Sequence, residues 1–111
     1  MEKTINIDGQ DIRFVSNGAT VFQYRNWFGR GLFQDENTLL EKASKNAMME
    51  DDAIEILYMI TYTLARQGNP EIGEFMDFIS QFEIMSLIEI APEIIKLLVS
   101  SKTPTVTAKK K

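Results

Sequence analysis

The sequence predicts an α+β, mainly α fold: an N-terminal β-hairpin followed by a bundle of four to five short helices. Three observations carry this. Alternating apolar residues flank an Asp-Gly pair near the start. Apolar residues then recur at helical spacing from residue 20 to residue 99. Gly and Pro punctuate that second region at intervals suited to short helices rather than strands. With 111 residues the chain has the length of a single domain, placed at residues 1–99.

The hairpin spans residues 4–15. Thr4-Ile5-Asn6-Ile7 and Asp11-Ile12-Arg13-Phe14 alternate, and Asp8-Gly9 between them is a two-residue turn signal, because both central positions need positive φ. That turn pairs Ile7 with Gln10, Ile5 with Ile12 and Lys3 with Phe14. Ile5, Ile7, Ile12 and Phe14 then share one face. A lone hairpin is marginal in water, so this face has to pack on helices or on a partner.

The first helix is expected over about residues 20–28. Thr20 and Gln23 fit a capping box. Val21, Tyr24 and Phe28 form its stripe, with Phe22 and Trp27 beside it, and Gly29 suits a left-handed C-cap. A second helix follows over about residues 32–47, with Leu32, Phe33, Leu39, Leu40, Ala43 and Ala47 as its apolar side. The third covers about residues 52–67, started by Asp51 and Asp52 through capping and the helix dipole. Ile54, Leu57, Tyr58, Thr61, Leu64 and Ala65 make its stripe. Ile56, Met59, Ile60 and Tyr62 lie off that stripe, so this helix is either central or covered by a partner.

Gly68-Asn69-Pro70 reads as a C-cap, an N-cap and a first helical proline. It opens a fourth helix over about residues 70–80, with Ile72, Phe75, Met76 and Ile79 inward. A last helical region covers about residues 84–99, kinked or restarted near Ala91 by Pro92. Residues 100–111 lack aromatics and periodicity and are expected to form a disordered basic tail.

Composition removes whole classes of chemistry. The chain has no Cys and no His, which excludes disulfides, thiolate or imidazole metal sites, Cys nucleophiles and His general bases. The net charge is −4, from 12 bases and 16 acids. Four of those bases, Lys102, Lys109, Lys110 and Lys111, lie in the last ten residues, so the preceding body holds eight bases against 16 acids. An acidic body is a poor footprint for nucleic acid. No secretory signal or membrane-spanning run is present, and the missing cysteines fit a cytoplasmic location.

Catalytic, cofactor and metal sites are expected to be absent. Glu50, Asp51 and Asp52 sit side by side at a helix start and do not converge as Mg²⁺ or Ca²⁺ ligands would. Glu71, Glu74 and Asp77 recur at helical spacing and read as a solvated face. No phosphate-binding glycine motif occurs, and Gly29-Arg30-Gly31 is too short for one. The informative cluster is aromatic: Phe14, Phe22, Tyr24, Trp27, Phe28 and Phe33 fall within twenty residues. Such a cluster serves as core or as an interface hot spot, and Arg25 and Arg30 flank it. Met48, Met49, Met59, Met76 and Met85 add adaptable apolar volume, suited to filling a core or to meeting a variable partner. The partner-binding candidates are Tyr24, Arg25, Trp27, Phe28, Arg30, Phe33, Met59 and Tyr62.

Three segments together resemble the tail assembly chaperone family of long-tailed, siphovirus-type bacteriophages and prophages. They are the isoleucine-rich hairpin with Asp8-Gly9, the stretch Tyr24-Arg25-Asn26-Trp27-Phe28-Gly29-Arg30-Gly31-Leu32-Phe33, and Tyr62 to Phe82 followed by Ile84 to Leu98. The likeness covers about residues 4–99. Gly31 stands where that family commonly has an acid, and Phe75-Met76 where it commonly has Trp-Leu. The Lys109-Lys110-Lys111 end suits a family habit of ending one reading frame near a slippery run. The resemblance implies a non-enzymatic chaperone in the cytoplasm of the bacterial host. It would bind and solubilise the tape-measure protein, help recruit tail-tube protein, and be absent from the mature virion. The rival readings are a small helical adaptor or regulatory protein, for which no helix is basic enough to read nucleic acid, and a carboxylate enzyme. An unpaired hairpin edge and the over-apolar third helix are compatible with a homo-oligomer, ring or dimer alike.

Overall fold

The computed structural model describes residues 1–104 and 106. Its elements are β1 (Glu2–Ile7), β2 (Gln10–Val15), α1 (Thr20–Phe28), α2 (Leu32–Ser44), α3 (Asp51–Gly68), α4 (Phe75–Ile79), α5 (Ile84–Glu89) and α6 (Ala91–Ser101). This is the mainly α, α+β architecture expected, with six helices among the described residues because the last helical region divides at Ile90. No described helix is long and apolar enough to cross a membrane.

The hairpin has the predicted register: Ile7 pairs with Gln10, Ile5 with Ile12 and Lys3 with Phe14, and β1 starts two residues earlier than expected, at Glu2. Asp8 and Gly9 have φ of 50° and 85°, the left-handed pair that the turn demands. Ile7 and Phe14 are buried, and β2 lies on α3. The turn has a second job. The Asp8 carboxylate accepts from the Glu83 backbone N–H at 2.9 Å and the Ser86 hydroxyl at 2.6 Å, so it closes the N-terminus of α5 from 75 residues away.

Helix α3 is the centre. It touches β2, α1, α2, α4, α5 and α6. Every residue from Met59 to Ala65 is buried. Of the two readings open for this helix, the central one holds. Burying large side chains such as Leu57, Ile60 and Leu64 stabilises by about 1.5–3 kcal/mol each. Asp51 and Asp52 occupy its first turn, where they suit the dipole. Neither is the N-cap, which is Glu50 without a side-chain cap bond. Glu50 and Asp52 instead share Lys42 of α2.

Several local expectations are corrected. The Thr20 hydroxyl does not cap α1: it accepts from Asn17 N–H at 3.0 Å and from Gln67 Nε2 at 2.8 Å, tying the strand-to-helix connection to α3. Helix α2 stops at Ser44 rather than residue 47, and its inward face is Leu32, Asp35, Glu36 and Leu39. Phe33, Leu40 and Ala43, assigned inward by their hydropathy, are exposed. The fourth helix begins at Phe75, not Pro70, since Asn69 holds the Glu71 N–H and Gly73 takes φ of 90°. Phe78 is its buried residue and Met76 points out. Gly68 closes α3 with a reason other than capping: a Cβ there would lie 2.0 Å from the Arg13 carbonyl oxygen. Helix α6 continues through Ser101, two residues into the expected tail, and Lys102 forms an ion pair with Glu36. Residues 105 and 107–111 of that expected tail lie outside the described residues.

Two outcomes test these contacts. Gly68→Ala should cost about 1–3 kcal/mol in urea unfolding, because backbone rather than a flexible side chain must give way. The hydrogen bonds from Ser86 and Glu83 hold the Asp8 carboxyl below its ordinary value. A lowered folded-state pKa gives stability that is present above the unfolded value and lost as pH falls through the folded one. The stability difference between the protein and Asp8→Asn should therefore persist at neutral pH and shrink below about pH 4.

Candidate functional site

Three regions gather the functional candidates. The first is a polar joint between α1 and α2. Gly29, with φ of 67°, ends α1, and the extended Gly31 starts α2. This short turn brings Asp35 back against α1. Its carboxylate accepts from the Tyr24 hydroxyl at 2.6 Å and from Arg30 Nε and Nη2 at 2.6 and 3.0 Å. Burial would raise the Asp35 pKa, but the Arg30 and Tyr24 hydrogen bonds outweigh it and hold the carboxyl below its usual range. Burial first, and then the hydrogen bond to Asp35 and its charge, push the Tyr24 hydroxyl far up, so it stays a donor. The joint is a closed set of satisfied groups and positions the helices.

The second region is an aromatic cluster built around Tyr62 of α3. Trp27, Phe28, Phe75 and Phe78 surround its ring at centroid distances of 5.8, 6.0, 5.6 and 5.8 Å, in edge or tilted geometry. The Tyr62 hydroxyl donates to the Gly73 carbonyl at 2.6 Å and accepts from Arg66 at 2.9 Å. The Arg66 guanidinium lies 4.5 Å from the Trp27 ring centroid and covers its outer side. These contacts link α1, α3 and α4 within one chain.

The third region is an open apolar groove of about 440 Å³. Leu40 and Ala43 of α2 and Met48 beyond it form one wall. Ile88 of α5 with Pro92 and Ile95 of α6 forms the other, and Glu89 stands at the rim. Ile84 and Met85 lie one turn before Ile88 on α5 and carry the apolar wall outward. Ile84 is 67% exposed, well beyond what a core position shows.

The predicted partner-binding residues separate by burial. Tyr24, Met59 and Tyr62 are buried and offer no surface to a partner in this conformation. Trp27 and Phe28 are half-buried in the aromatic cluster. Arg25 and Arg30 are exposed, Arg30 being held by Asp35. Phe33 is 47% exposed, on a different face, with Lys102 Nζ 5.5 Å from its ring. The eight therefore do not form one surface. The groove residues Leu40, Met48, Ile88 and Ile95 were not among them. One signal for them existed: α2 carries two apolar stripes, Leu32 with Leu39 and Leu40 with Ala43, and a single helix face buries only one.

Among the described residues no group of three or more acidic side chains converges on a point that could hold a metal ion. No family model, curated protein or solved structure matches the chain.

The joint yields a direct test. Asp35→Ala leaves the buried Tyr24 hydroxyl without an acceptor and should lower stability by about 1–3 kcal/mol, measured by chemical denaturation.

Proposed function

We propose that this chain is a tail assembly chaperone, a non-enzymatic module that binds and solubilises the tape-measure protein and helps recruit tail-tube protein in the bacterial cytoplasm. The sequence likeness across the hairpin, the Tyr24–Phe33 stretch and the last helices supports the reading. The structural observation that carries it is the groove between α2 and α5–α6. It is lined almost wholly by apolar side chains and left open by the single chain.

A tape-measure protein is a very long helical chain that exposes apolar stripes before tail-tube protein encloses it. A groove between helices accepts such a stripe through residues spaced i, i+3 and i+4. Weak sites repeated along one long chain give high total occupancy. The same weakness lets tube protein displace each copy, so the chaperone leaves before the virion is complete. The aromatic cluster serves this reading as scaffold: Trp27, Phe28 and Tyr62 fix α1 and α4 on α3, and so hold the molecule that presents the groove.

Co-expression with the long helical protein encoded beside it, followed by affinity capture, tests the proposal. The expected outcome is a soluble partner that co-purifies with many copies of this chain. A partner that stays insoluble, with nothing captured, overturns the reading.

A further inference from the structure

We infer that the groove between α2 and α5–α6 takes a basic amphipathic helix, one whose apolar stripe is flanked by Lys and Arg. This rests on reading the chain as a helix-binding module and adds the chemistry of the helix it selects.

Charge supplies the argument. Between Arg66 and Lys96 the chain carries six acids and no base. Glu93 is matched by Lys3 of β1. The other five, Glu71, Glu74, Asp77, Glu83 and Glu89, are exposed and form no ion pair among the described residues. Of the ten acids elsewhere, six form ion pairs, and Asp8, Asp11, Asp51 and Glu55 form none among the described residues. On the α2 side of the groove Lys45 holds Glu41, and Lys42 holds both Glu50 and Asp52. Five of the nine acids without an ion pair thus fall between Glu71 and Glu89, and Glu83 and Glu89 bracket α5, one wall of the groove. The bases that bound this stretch, Arg66 on α3 and Lys96 after Ile95 on α6, form no ion pair among the described residues.

The apolar side chains stand among those acids. Met76 is 66% exposed on α4, and Ile84 and Met85 project from α5. An apolar floor with Glu89 at its edge, and Glu83 at the other end of α5, selects by both attraction and repulsion. Helices with acidic flanks, nucleic acid and anionic lipid surfaces all meet like charge here. A helix with basic flanks buries its stripe and supplies the missing cations. No strand lines the groove, so an extended peptide would gain no ladder hydrogen bonds from it. A helix satisfies its own backbone and needs only side-chain pockets.

Two synthetic helical peptides with the same apolar stripe, one flanked by Lys and Arg and one by Glu and Asp, test this by fluorescence anisotropy with the full chain. The basic peptide should bind, and more weakly as salt rises from about 0.05 M to about 0.5 M. Glu83→Gln and Glu89→Gln should each weaken it about two- to fivefold without moving the melting temperature, since neither acid is paired. Leu40→Asn should weaken it by more than about tenfold. Equal or tighter binding of the acidic peptide overturns the inference, as does indifference to all three substitutions. A dimer that dissociates with Leu40→Asn, with no peptide bound, gives the groove to a second copy and also overturns it. If the tape-measure protein is captured while the basic peptide fails, the inference falls and the function stands. If the peptide binds with this dependence and no capture occurs, the inference stands without the proposed partner.

Discussion

From Met59 to Ala65 every side chain of α3 is buried, so this small chain must cover one helix on all sides. That requirement determines where everything else can go. The hairpin covers one side through β2, α1 and α2 cover others, and the short helices α4 to α6 close the remainder. Close coverage has consequences at the backbone. Gly68 lets the β2 backbone reach the end of α3, and Gln67 beside it donates to the Val15 carbonyl at 2.7 Å. The buried threonines of α3 are accommodated unequally. Thr63 returns its hydroxyl to the Met59 carbonyl at 2.8 Å, while the Thr61 hydroxyl has no partner.

Covering α3 with α2 places two carboxylates inside, and each is answered by a cation. Asp35 receives Arg30 and Tyr24 across the turn between α1 and α2. Glu36, only 1% exposed at its side chain, receives Lys102 at 2.6 Å from beyond α6, while its second oxygen is unpartnered. Buried pairs of this kind add modest net stability, because desolvation offsets most of the attraction. Their larger effect is positional. One holds α2 to α1, and the other holds the end of α6 to α2. The Asp8 carboxylate works similarly at the opposite end of the chain, joining the hairpin turn to α5.

Once α2 has turned Leu32, Asp35, Glu36 and Leu39 inward, its second apolar stripe faces out. Leu40 and Ala43 then meet Ile88, Pro92 and Ile95 only across an open groove. An exposed apolar groove is unfavourable in water unless something covers it. The binding proposal follows from this phase choice of α2. The aromatic residues, prominent in the sequence, belong mainly to the support: their rings pack edge to face around Tyr62 and keep α1 and α4 in place.

The sequence by itself determined the elements whose conformations are locally forced. Asp8-Gly9 imposes a left-handed pair and with it the hairpin register. Gly29 ends the first helix, and Pro92, lacking an N–H, starts a new one near Ala91. It also excluded thiol and imidazole chemistry, since neither residue is present. Only the tertiary structure decided that Gly68 is a contact rather than a cap, that Asp35 and Glu36 lie inside, and that Leu40 lies outside. Those outcomes depend on partners distant in the chain: Arg13 for Gly68, Lys102 for Glu36, Ile88 and Ile95 for Leu40. Local propensity contains no term for a neighbour that only folding brings near. The phase of α2 was therefore settled by which of its two stripes α3 could cover.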